Sequence, residues 1–158
     1  MKGSIATGLA ALAAVAAAAG ALAVPSPAHP VSITLSSSKA GAGNVGLTLR
    51  MPTVLQCGRP RGGPVVLTLP RAAHVPRAIG LAAVTVNGKP PSTVAVKGRA
   101  VTVGLPVPHG IMCDSLVDGV LVIAIAPSAA LRNPARAGTY RATVQQGHES
   151  WSVPVTVR

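Results

Sequence analysis

The chain has 158 residues, a net charge of +11 at pH 7 and only three acids, Asp114, Asp118 and Glu149. So few carboxylates exclude paired-carboxylate catalysis and two-metal centres, both of which gather several acids in one place. Two aromatic residues, Tyr140 and Trp151, leave little on which nucleic-acid bases or sugar rings could stack, and no nucleic-acid partner is expected.

From the N-terminus, Lys2 is the only charge in the first 30 residues, and Ile5 to Val24 is built almost wholly of Ala, Leu, Val and Gly. A positive start, an apolar run and the small-residue pattern Ala21-Leu22-Ala23 make residues 1–28 a secretory signal peptide, helical in its apolar part, with cleavage after Ala23 or Ala28. Pro25, Pro27 and Pro30 follow at once, which favours a cleaved leader over a membrane anchor. With no second long apolar run, the mature chain is expected to have no membrane span and to be secreted or held in the cell envelope. It has about 130 residues, enough for one domain with one core, placed at 29–158.

The mature part reads as short alternating strands cut by Gly, Pro and Asn signals. Strands are expected at Val31–Leu35, Val45–Met51, Val65–Leu69, Leu81–Val86, Thr93–Val96, Val101–Leu105, Val120–Ala126, Thr139–Val144 and Trp151–Val157. Asn87-Gly88 is a strong turn signal because both residues tolerate positive φ. Lys97-Gly98-Arg99 and Gln146-Gly147-His148 read as tight hairpins, and Val120–Ala126 as a central strand buried on both faces. Helix is limited to single turns at Pro76–Gly80 and Ser128–Arg132. The class is all-β, a sandwich of about seven to nine short antiparallel strands.

The succession V-T-V-N-G (84–88), V-A-V-K-G-R-A-V-T-V-G-L-P (94–106), L-R-N-P (131–134), A-G-T-Y (137–140) and a closing V-x-V resembles the immunoglobulin-like or fibronectin-like repeat modules of exported bacterial surface proteins. The resemblance covers roughly 44–157 and implies a structural or binding module with no catalytic residues to carry over. One copy follows the leader, with no internal repeat. The expected role is therefore a non-catalytic, envelope or extracellular sandwich, not an enzyme. Tyr140 is expected as a hydrogen-bonding residue of the sandwich corner, and Trp151 as half-buried.

Three features stand outside that pattern. Cys57 and Cys113, in an exported chain, are expected to form one disulfide joining two long loops. His109 with Cys113, Asp114 and Ser115 supplies neither a complete zinc set nor a nucleophile elbow. A start at His29 would give an amine and an imidazole on one residue, a strong chelate for copper(II), in a layout similar to copper-carrying periplasmic sandwiches; His148 is then the candidate second ligand, with His74 and His109 as others. Copper is thus the alternative to having no cofactor. Finally, Arg50, Arg59, Arg61, Arg71 and Arg77 form the densest basic stretch and the candidate surface for an anionic envelope polymer or an acidic surface protein.

Overall fold

Alternation in the longest strands sets the architecture. In β2 (Leu47–Gln56), Leu47, Leu49 and Met51 point one way and are buried, whereas Thr48, Arg50 and Pro52 point the other. Strand β8 (Leu116–Ile125) matches it residue for residue, antiparallel from Leu47↔Ile125 to Gln56↔Leu116, and adds Leu121, Ile123 and Ile125 to the same face. The computed structural model that shows this describes residues 30–56, 59–60, 62–106 and 116–158; the expected signal peptide lies outside them. No helix among the described residues is long and apolar enough to cross a membrane.

Strand β1 (Ser32–Leu35) pairs with the start of β2, β3 (Arg59–Pro60) with its end, and β5 (Val84–Val86) with β8, giving a sheet in the order β1-β2-β8-β5. The second sheet runs β10-β9-β4-β7-β6, with β4 at Val65–Thr68, β6 at Thr93–Lys97, β7 at Ala100–Gly104, β9 at Gly138–Gln146 and β10 at Glu149–Val157. Its inner face supplies Val65, Leu67, Val101, Val103, Ala142, Val144, Val153 and Val155 to one continuous core with the first sheet. Placing β1, β2, β8 and β5 as the strands A, B, E and D, and β10, β9 and β4 as G, F and C, reproduces the immunoglobulin-like arrangement. The hairpin β6–β7 extends the second sheet as C′ and C″ do, although here it follows β5 in the chain. The fold is an all-β, immunoglobulin-like sandwich.

Turn chemistry sets the registers. Val86 and Lys89 exchange both backbone hydrogen bonds around Asn87 (φ 48°) and Gly88 (φ 75°), a two-residue type I′ turn. Asn87 also extends the first sheet: its N–H donates to Val122 O and its Oδ1 accepts from Val122 N at 2.7 Å. The hairpins β6–β7 and β9–β10 turn on two residues each, Gly98-Arg99 and Gly147-His148, with positive φ only at the first, the glycine. Tyr140 takes the corner role expected of it, its Oη donating to Arg136 O at 2.8 Å, and Trp151 packs half-buried against the core.

Several elements differ from the sequence expectation. Leu81–Ala83 is a 3-10 turn, and the strand begins only at Val84. Leu-Ala-Ala has little preference for a pleated strand, and the N–H of Ala83 closes on Gly80 O. The single turn expected at Ser128–Arg132 is Pro127–Ala129, begun by the fixed φ of Pro127 and ended by Ala130 at φ 59°, whereas Pro76–Gly80, also expected as a turn, is not helical. Strands β2 and β8 run past their expected limits, through Pro52 and Gly119. Pro52 is tolerated because β1 reaches only Arg50, which leaves β2 with an open edge there. Gly119 lies under Leu55, in space that a Cβ would take. Strand β8 is interior to its sheet, as expected, but only one of its faces is buried; Val120, Val122 and Ala124 are half-exposed, because nothing is layered over the outer face among the described residues.

Thr53 continues the inward row Leu47–Leu49–Met51, and its hydroxyl is buried with no hydrogen-bond partner among the described residues. Replacing an unpaired hydroxyl by a methyl of the same shape removes a desolvation cost. We expect Thr53→Val to stabilise the protein by about 1 kcal/mol, read as a higher urea midpoint at unchanged slope; an unchanged or lower midpoint would contradict it.

Candidate functional surface

The loops at one end of the sandwich are bound into a single surface by backbone hydrogen bonds. Segment 130–136 lies at its centre: Val45 N donates to Leu131 O, and Arg132 and His74 exchange a pair of bonds at 3.1 and 3.0 Å. Asn133, 6% exposed, donates from its backbone to Ala42 O and from Nδ2 to Ser37 O (2.8 Å) and Lys39 O (2.9 Å). Residues 38–40 pair in turn with the last residue, as Arg158 N donates to Ser38 O and Ala40 N to Arg158 O. On the far side, Leu69 N donates to Arg99 O, and the Arg99 guanidinium donates back to Leu69 O at 2.9 Å. A chain of contacts therefore runs from the β6–β7 turn through 69–74 and 131–136 to 37–42 and Arg158.

This end is cationic. Lys39, Arg71, Arg99, Arg132, Arg136 and Arg158 are all exposed on it, with Lys97 and Arg77 nearby. The stretches that build it, 36–46, 69–80, 97–99 and 126–138, contain no Asp or Glu. Of the acids, Glu149 stands at the β9–β10 turn, at the opposite end, and Asp118 faces Val54 towards that same end. The molecule is polar along its strands.

The five arginines of the densest sequence stretch are not gathered in one place. Arg50 stands mid-strand on the outer face of the first sheet, Arg59 lies in β3 at the end remote from Arg71, and Arg61 is outside the described residues. Arg71 and Arg77 belong to the cationic end or its border. What sequence reasoning missed is the contribution of residues far apart in the chain, Lys39, Arg132, Arg136 and Arg158, which only the loop-to-loop hydrogen bonds bring together. Cys57, Cys113, His29 and His109 lie outside the described residues. His148 is exposed in the β9–β10 turn and His74 belongs to the cationic end, so those two candidate ligands sit at opposite ends of the sandwich. Among the described residues no group of three or more His, Cys, Asp or Glu side chains is placed to hold a metal.

Two of the depressions in the described surface adjoin these loops. One, of about 20 Å³, lies between the sheets beneath the cationic end, lined by Val45, Leu69, Ala73, Leu131, Tyr140 and Val155 among others; it has room for about one water. The other is an open groove of about 340 Å³ on the outer face of the first sheet. Its floor is a cross-strand row, Thr34–Thr48–Ala124–Thr85, flanked by Ala83 and Pro127. No titratable side chain lines the groove.

No protein-family model matches the chain, and no curated protein does. Among solved structures, it is similar to BslA, a bacterial hydrophobin, at 17% identity over 82% of this chain and 95% of that one, with a TM-score of 0.48. It is similar also to an uncharacterized protein from Nocardia farcinica with an immunoglobulin-like fold, at 14% identity over 80% of this chain and 96% of that one, with a TM-score of 0.40.

Proposed function

We propose that the chain is an exported, non-catalytic β-sandwich that acts by binding in the cell envelope or outside the cell. One observation carries this reading: among the described residues the charged side chains stand on the outer surface. Every described Lys and Arg side chain is exposed, whereas the groove of about 340 Å³ holds no titratable group and the smaller depression has only Arg132 at its rim and Tyr140, whose hydroxyl is engaged by Arg136 O. General acid–base or nucleophilic catalysis needs such groups converging on a sheltered point. Exposed charge with fixed loops beneath it suits recognition of a charged surface. The leader-like residues 1–28 supply the route out of the cytoplasm.

The test is to express the full chain in a bacterial host and sequence the N-terminus of the product in each cell fraction. Recovery outside the cytoplasm with Val24 or His29 first is the expected result. A product confined to the cytoplasm and beginning at Met1 or Lys2 would overturn the export part of the proposal.

A further inference from the structure

We propose that the cationic end is a binding site for a linear polyol phosphate polymer, its phosphate groups recurring along the chain and received by the forks of Arg71, Arg99, Arg132, Arg136 and Arg158. This rests on the binding reading above and gives it a place and a ligand chemistry.

Charge complementarity is the first ground. Six exposed cations, these five with Lys39, come from five separate chain segments, and no carboxylate side chain occurs in the loops that present them. The guanidinium groups therefore have no carboxylate side chain to pair with inside those loops, and Arg99 alone spends a donor there, on Leu69 O. Five of the six are arginine, whose planar fork matches an oxyanion with two parallel hydrogen bonds and is less strongly hydrated than an ammonium. Spread over several loops, they suit a ligand whose charges repeat rather than a single small anion.

Preorganisation is the second ground. The loops are not free arms: Arg132 is held through two backbone bonds to His74, Arg158 through two to residues 38–40, and Arg99 through its own side chain and carbonyl to Leu69. Tyr140 fixes the backbone at Arg136. A ligand meeting a surface already ordered loses less of its binding energy to ordering the protein.

Polarity is the third. With Glu149 at the far end and Asp118 towards it, the field along the strands draws an anion to this end first. Aromatic surface is what the bases of a nucleic acid or the rings of a polysaccharide would ask for instead. Tyr140 has its hydroxyl bonded to Arg136 O and Trp151 packs against the core, pairing with Val144 near the opposite end, so neither offers a stacking platform here.

The experiment measures binding of the mature protein to poly(glycerol phosphate), to polygalacturonate and to an oligodeoxythymidine of matched charge, at 50 and 200 mM NaCl. Two end variants, R132E/R136E and R71E/R158E, are compared with R50E/K89E, which makes the same change in net charge away from the end. We expect poly(glycerol phosphate) to bind, weakening about ten- to fifty-fold between the two salts if four or so anions are engaged, and polygalacturonate to bind less tightly. Each end variant should lose at least ten-fold more affinity for poly(glycerol phosphate) than R50E/K89E. Equal losses in all three variants would reduce the effect to net charge and overturn the site; so would no binding to poly(glycerol phosphate). Tighter binding of the oligodeoxythymidine or of polygalacturonate than of poly(glycerol phosphate) would overturn the ligand class. Circular dichroism spectra confirm that each variant is folded. Since binding is measured on purified protein, these outcomes are independent of whether export occurs.

Discussion

Asn133→Ala should destabilise the protein by about 2–3 kcal/mol, and Asn133→Asp by more at neutral pH. The amide of Asn133 is buried, and both of its Nδ2 bonds go to carbonyls of the β1–β2 loop, Ser37 O and Lys39 O. Alanine removes the donor and leaves Ser37 O without it, while Lys39 O keeps only the N–H of Ala42, a cost of roughly 1–3 kcal/mol, to which the lost packing adds. Aspartate keeps the shape and reverses the chemistry, because an ionised carboxylate points oxygen at oxygen. Protonated, it can still donate to one of the two carbonyls, so folding raises the pKa of that carboxyl above the unfolded value. A raised folded pKa means that the stabilising form is fully present below the unfolded pKa of about 3.9 and is lost as pH rises through the folded pKa. The stability of N133D relative to N133A should therefore be greatest near pH 4 and fall towards pH 7. Urea midpoints of both variants at the two pH values test this. Equal midpoints for N133A and the parent protein would show that the loop is held without the amide.

Asn133 also marks the limit of what the sequence discloses. The tetrapeptide Leu131-Arg132-Asn133-Pro134 is recognisable as a recurrent phrase, and its apolar member is duly buried in the core. Yet the three roles packed into it, a core leucine, an exposed cation and a clamp on a loop more than 90 residues away, appear only when segments 36–46 and 130–136 meet. Strand alternation is a local property, and where it is strong, as in Val153–Val155–Val157, sequence and structure agree on which side faces inward; in Leu121–Ile123–Ile125 the intervening Val120, Val122 and Ala124 are just as apolar, and the sequence could not tell the buried face from the half-exposed one. Turns encoded by a residue that needs positive φ, such as Asn87-Gly88, are equally legible. Ala130, at φ 59°, is not: alanine carries no signal for that conformation, which is imposed by the neighbouring bridges to Val45 and His74. Strand order is likewise beyond reach of periodicity, since β5 precedes the β6–β7 hairpin in the chain but belongs to the other sheet. The charged surface follows the same logic. Linear density pointed to 50–77, whereas the folded chain builds its cationic end from arginines up to 87 residues apart, Arg71 and Arg158, each unremarkable in its own neighbourhood.

The largest effect is expected from the two cysteines. Both lie outside the described residues, but the ladder between β2 and β8 ends with Gln56 opposite Leu116. Cys57 follows the first directly and Cys113 precedes the second by three residues, a stretch that can span at most about 11 Å. The two cysteines thus follow and precede, by one and three residues of sequence, the last pair of that ladder, and in an oxidising compartment they are expected to join. The closed loop holds about 57 residues, and in the chain-entropy model its removal from the unfolded ensemble stabilises the fold by about 4 kcal/mol. That loop encloses β3 to β7, the segments that supply one edge of each sheet, while β2 and β8 on either side of it already pair over ten residues. Loss of the bond should therefore release the unfolded chain without breaking the central ladder. The double variant C57S/C113S is expected to keep its strand signature in circular dichroism but to unfold at a markedly lower urea concentration, and the parent protein should match it once reduced. The mass of the unreduced protein after thiol alkylation decides the premise: two alkylated cysteines in freshly exported protein would exclude the bond, whereas an oxidised pair with an unchanged midpoint would show that native-state strain offsets the entropy gained.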